Sequence, residues 1–171
     1  IANSGNINVL IDLNGADNVT IDGRVNATGS TKDLIITNTY THATSTIRFI
    51  NDASNNIVKY CNIKGSSNYN GILFFTTTTG SAGNDGNLID NNNITCSTNA
   101  NRPINAICSN GSSGMENSGN TISNNNIYDF LYGNYHSYGI YLGANTTTWT
   151  ISGNSFYETT AFNPTSANAY T

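Results

Sequence analysis

Apolar residues in this chain come in short bursts, each followed by a polar corner. In "NLIDNNNITC" (Asn87–Cys96) and "NTISNNNIYD" (Asn120–Asp129), two isoleucines stand five residues apart with a run of three asparagines between them. Six segments align on the first apolar residue of this pattern, with anchors at Ile21, Ile36, Val58, Ile89, Ile122 and Ile151. Two residues on stand Gly23, Asn38, Tyr60, Asn91, Asn124 and Gly153. Five of these six are Gly or Asn, the residue types that tolerate a left-handed backbone. Ile63, Ile94, Ile127 and Phe156 follow five residues after the last four anchors. In a flat strand an odd spacing puts two side chains on opposite faces. A left-handed residue between them turns a corner and lets both point inward. Gly23, Asn38, Asn91, Asn124 and Gly153 are therefore predicted to be corner positions, and each segment is predicted to run strand, corner, strand.

A second set of strands lies between these segments: "NVLIDL" (Asn8–Leu13), "TIRFIN" (Thr46–Asn51), "GILFFT" (Gly71–Thr76), "INAICS" (Ile104–Ser109) and "YGIYLG" (Tyr138–Gly143). Like segments recur at one coil's distance, with loops of variable length. That is the signature of a solenoid in which like stacks on like in parallel. The expected architecture is all-β, about five rungs roughly 4.8 Å apart. Val58, Ile89, Ile122 and Ile151 should form one apolar column, and Ile63, Ile94, Ile127 and Phe156 another. Asn92, Asn125 and Asn154 fall at one place in successive rungs, above Cys61, and are predicted to hydrogen-bond along the axis as an asparagine ladder.

Composition sharpens this picture. Only 9% of the 171 residues are charged, the net charge is −4, and nearly one residue in five is asparagine. Six scattered basic residues make no patch for nucleic acid. No apolar run is long enough to span a membrane as a helix. The three cysteines Cys61, Cys96 and Cys108 show no zinc-ligand spacing. They read as small buried hydrophobes, or, in a secreted protein, as a Cys96–Cys108 bridge with one thiol left over.

Segments such as "LNGADNVTIDGR" (Leu13–Arg24), "NLIDNNNIT" (Asn87–Thr95) and "TISNNNIYDF" (Thr121–Phe130) resemble the right-handed parallel β-helix repeat proteins, the pectate-lyase-like superfamily, of the extracellular bacterial type. The resemblance runs along nearly the whole chain. It implies a right-handed parallel β-helix and an extracellular or cell-surface location. It does not imply one activity, because that superfamily includes lyases, hydrolases, epimerases, adhesins and tail spikes. Its lyases are known for clustered Asp ligands to calcium beside a basic residue, and its hydrolases for paired Asp.

Neither constellation is evident here. Asp22 and Asp90 share one motif position with Thr37, Lys59, Ser123 and Ser152, and Lys59 separates them as in a solvated charge ladder. Asp12 and Asp17 flank a turn without an Asp-rich calcium loop. His42 and His136 lie in loops without a triad partner, and Arg24, Arg48 and Arg102 are scattered. No catalytic residue, metal ligand or cofactor is predicted. The threonine runs "FFTTTTG" and "ANTTTWT" are consecutive rather than ranked coil by coil, so no flat ice-binding array is expected. The remaining candidate is aromatic. In "YDFLYGNYHSYGIYLG" (Tyr128–Gly143) the loop residues Tyr132, Tyr135 and Tyr138, with Trp149 after them, are placed to pack the loop, stack on sugar rings or anchor a protein interface.

No amphipathic capping helix is visible at either terminus, and residues 162–171 read as an extended tail on a single domain spanning 1–171. The sequence-level expectation is an extracellular structural or adhesive β-helix that self-associates end to end or with neighbouring β-helix repeats. The alternative is a carbohydrate-active or polysaccharide-binding β-helix, as a lyase, a hydrolase fragment or a glycan-binding module.

Overall fold

The computed structural model describes residues 1–3, 5–133 and 135–163. They form a parallel β-solenoid of about five turns. The chain visits three sheets in a fixed order. The first sheet holds Val9–Asn14, Ser45–Ile50, Gly71–Phe75, Asn105–Ser109 and Tyr138–Leu142. The second holds Thr20–Asp22, Ile57–Lys59, Leu88–Asp90, Thr121–Ser123 and Thr150–Ser152. The third holds Ala2–Asn3, Leu34–Asn38, Cys61–Gly65, Asn93–Cys96, Asn126–Tyr128 and Ser155–Tyr157. Every pairing within these sheets is parallel, each strand lying on its counterpart one coil away. A fourth, two-stranded pairing joins Asn117–Ser118 to Thr146–Thr147. The one helical element among the described residues is a 3-10 turn at Val25–Ala27. Among the described residues no helix is long and apolar enough to cross a membrane.

Register puts like on like. Ile21, Val58, Ile89, Ile122 and Ile151 are successive partners in the second sheet. Ile36, Ile63, Ile94, Ile127 and Phe156 are successive partners in the third. Ile11, Ile47, Leu73, Ile107 and Ile140 form a column in the first sheet. Beside it, Phe49 and Phe75 stack face to face at 4.2 Å. In the inner coils these side chains are wholly buried. Burying each contributes roughly 1.5–3 kcal/mol.

Two details of the alignment read from the sequence are corrected. Ile36 does not stand in the Ile21 column; it pairs with Ile63 in the third sheet. In the first coil, residues 24–33 are inserted between Asp22 and Leu34, so corner and second strand are far apart. Thr37 accordingly pairs with Lys64, not with the Asp22 and Lys59 position. The left-handed corner is occupied by Tyr60, Asn91, Asn124 and Gly153, with φ of 52°, 54°, 55° and 64°. Asn38 lies within a strand, and neither Asn38 nor Gly23 has a positive φ. Gly23 is needed for a different reason: a Cβ there would lie 2.0 Å from the Tyr60 carbonyl oxygen.

Asparagine amides occupy the bends. Asn92 Nδ2 donates to Asn125 Oδ1 at 3.1 Å, and Asn125 Nδ2 donates to Asn154 Oδ1 at 2.9 Å. Each oxygen also accepts a backbone N–H from the coil before: Cys61 N–H to Asn92, Asn92 N–H to Asn125 and Asn125 N–H to Asn154. Each Nδ2 further donates to a carbonyl, at Val58, Ile89 and Ile122 respectively. An amide has two donor hydrogens and two acceptor lone pairs, so buried Asn125 is fully satisfied, and buried Asn92 fills both donors and accepts once, from Cys61 N–H. A second ladder, Asn56–Asn87–Asn120, is built the same way at the entry to the second sheet, and a third joins Asn84 to Asn117. These two were not predicted, although Asn56, Asn87 and Asn120 each stand two residues before an anchor.

Candidate functional site

The turns from the third sheet back to the first make one lateral face, formed by residues 39–44, 66–70, 97–104, 129–133 and 135–137. Their lengths vary because they lie outside the stacked columns. A pocket of about 190 Å³ opens among them, lined chiefly by Thr41, Ser66, Asn68, Asn101, Arg102 and Tyr132. Tyr132 is its aromatic lining residue, and the same turns carry further rings. Tyr132 and Tyr135 stack with ring centroids 6.3 Å apart and planes within 7°. Tyr40 and His42 stack at 4.8 Å. Tyr69 and Tyr135 are 75% and 65% exposed.

One wall of the pocket carries the one deeply buried cation among the described residues. Arg102 is 4% exposed, and its guanidinium bonds Glu158 through Nη1 and lies 3.6 Å from Asp129. Asn99 and Thr160 also accept from it, and the Phe162 ring lies 4.5 Å from its central carbon. Asp129 in turn accepts from the Thr159 backbone N–H and hydroxyl. Burial raises the Asp129 carboxyl, but hydrogen bonds from Thr159 and the Arg102 charge outweigh it, and the group ends below its ordinary range. Glu158 goes the other way, raised by burial and by Asp129 despite Arg102. Arg102 Nε and Glu158 Oε1 are buried without hydrogen-bond partners. One guanidinium thus serves two carboxylates, and no net positive charge faces the pocket.

Most of the remaining acids are held by neighbours, chiefly in adjacent coils. Asp22 chelates Arg24 and lies 3.7 Å from Lys59; the Arg24 hydrogen bonds hold its carboxyl far below the usual range. Asp90 is raised by burial but lowered more by bonds from Ser123, Asn124 and Asn91 and by Lys59. Asp12 pairs with Arg48, and Asp17 accepts from Ser54. Thr78 and Ser81 wrap Asp52. Among the described residues no three His, Cys, Asp or Glu side chains converge as metal ligands. Cys61, Cys96 and Cys108 are buried free thiols, so the Cys96–Cys108 bridge is not formed. Burial pushes Cys108 up to about 12 and, helped by Asp22, Cys61 up to about 11, which leaves both protonated and unreactive at neutral pH.

The aromatic candidates separate into three places. Tyr132 and Tyr135 belong to the lateral face, and Tyr138 lies beside Tyr141 at 5.1 Å on the first-sheet edge. Trp149 is elsewhere: its ring meets Phe75 edge-on at 4.9 Å in the core, and its Nε1 donates to the Asn117 carbonyl. It takes the place an asparagine holds in the coils before, one residue ahead of the strand that begins at Thr150. Of the tail 162–171, Phe162 packs on Arg102, and residues 164–171 lie outside the described residues. No family model, curated protein or solved structure matches this chain.

Proposed function

We propose that the chain is a structural, adhesive module of an extracellular or cell-surface β-solenoid, and that its last coil takes on a further coil from a second copy of the chain. One observation carries this reading. The apolar columns that are fully buried at Ile122 and Ile127 continue in register to Ile151 and Phe156, which are 47% and 49% exposed. Leu142 and Tyr157 join them on the same open end. Edge strands with unpaired N–H and C=O groups beside exposed apolar side chains are templates for another strand. Only 9% charged residues leave little repulsion between copies. The acids, tied into side-chain networks between coils, support a structural role over a catalytic one.

Sedimentation velocity and negative-stain microscopy across a range of protein concentrations test this. The expected result is concentration-dependent oligomers or fibres, lost in an Ile151→Asp, Phe156→Asp double variant. A wild-type protein that stays monomeric at the highest concentration reached would overturn it.

A further inference from the structure

We infer that the lateral pocket is a binding subsite for one neutral sugar residue of a glycan. This inference is independent of the stacking reading, because the pocket lies on the side of the solenoid and is present in a monomer or a fibre alike.

Three features of the pocket select that ligand class. The first is size. A cavity of about 190 Å³ is below the roughly 300 Å³ at which drug-sized ligands are accommodated, so it admits a single ring. The second is polarity. Thr41 presents a hydroxyl, and Asn68 and Asn101 present carboxamides; each group donates and accepts, as a polyhydroxylated ligand requires, while buried Ser66 bonds Ser97 and backs the wall. The third is the rim. Tyr132 lines the pocket and stacks with the exposed Tyr135, which offers flat apolar rings with polar tips to the C–H face of a sugar. Tyr side chains have few rotatable bonds, so ordering them on binding costs little.

Charge then decides between neutral and acidic glycans. The only cation lining the pocket is Arg102, and its guanidinium is engaged by Glu158, with Asp129 at 3.6 Å. An incoming carboxylate would have to displace Glu158 from a buried ion pair, or lie unpaired beside two acids. Two carboxylates already crowd that one guanidinium, so a third would meet like charge at close range. Uncharged hydroxyls meet no such penalty. Arg102 therefore acts as a positioning residue: it ties the 97–104 loop to the last coil at residues 158–160 and so holds the pocket wall in place.

A glycan array spanning neutral hexose, pentose and deoxyhexose oligosaccharides, together with uronate-containing and sialylated ones, tests the inference with the whole chain. Hits are followed by calorimetric titration, with tetragalacturonate as the acidic control. The expected result is binding to at least one neutral glycan with a Kd under about 1 mM, at least tenfold weaker binding of tetragalacturonate, and at least a tenfold loss in Tyr132→Ala and in Asn68→Ala. Both variants alter loop residues, and thermal melting confirms that they remain folded. Absence of any neutral hit, equal or tighter binding of tetragalacturonate, or full retention of binding in both variants would each overturn it. Oligomerisation is read separately by sedimentation, so failure here and failure of the stacking proposal are distinguishable.

Discussion

Ile122 and Ile151 stand in the same column, in the same short strand, after the same kind of residue and before the same kind of corner. One is fully buried and the other is nearly half exposed. Nothing in their local sequence accounts for the difference. Among the described residues, Ile122 has a coil on each side and Ile151 has one. A rung of this solenoid is therefore not stable by virtue of its own residues; it is stabilised by its neighbours, as in other one-dimensional repeat architectures.

The comparison can be broken most directly by truncating the two isoleucines in turn. Ile122→Ala should lower unfolding stability by about 3–4 kcal/mol, from lost transfer energy plus the cavity left between packed coils. Ile151→Ala should lower it by only about 1 kcal/mol, because solvent already reaches the site. Urea denaturation measures both, and equal losses would show that coil position does not govern stability.

The ladders sharpen the same contrast. Asn125→Ala leaves the buried Asn92 N–H and one Asn92 amide hydrogen without acceptors and takes one of two donors from the Asn154 oxygen. The expected loss is about 2–3 kcal/mol. A second row, Asn62–Asn93–Asn126, has the same spacing on the outer face of the third sheet, where it is only half-buried. There Asn93→Ala should change stability by no more than about 0.5 kcal/mol. A loss at Asn93 matching that at Asn125 would argue that the ladder itself, not its burial, carries the energy.

The acids give the smallest effect and divide along the same line. Asp90, within the stack, titrates lower folded than unfolded. Its stabilisation is complete above the ordinary Asp value of about 4 and is lost as pH falls through the folded value. Glu158, in the last coil, titrates higher when folded. Its ionised form therefore lowers stability above the folded value, and that penalty disappears as pH falls to the ordinary Glu value. Asp90→Asn should accordingly lose up to about 1 kcal/mol at neutral pH and nothing in strong acid. Glu158→Gln should be close to neutral at pH 7. Stability curves against pH, taken for both variants, check the two signs.

The inner coils were legible in the sequence because their strand, corner and strand recur without interruption from Val58 onward. The first coil was not, since its ten-residue insertion leaves Ile36 in a stretch that resembles an anchor although it belongs to the next sheet. The Asn92, Asn125 and Asn154 positions followed from the same alignment. Arg102, Asp129 and Glu158 did not, because they come from three coils and up to 56 residues apart, in loops that carry no period. Trp149 was grouped with the tyrosines by proximity along the chain, whereas its place is fixed by register, one coil above Asn120.

The interior amides also give the molecule a direction. In all three buried ladders the Nδ2 of one coil reaches forward to the oxygen of the next, and the backbone N–H bonds to each oxygen fix that orientation. The outer row points the opposite way, from Asn126 to Asn93 to Asn62. The solenoid is thus a vector rather than a symmetric rod: at Asn154 the buried file ends with its NH2 group leading. Two molecules meeting with these ends face to face would set donor against donor, so under the stacking proposal polarity along the axis selects head-to-tail over face-to-face addition.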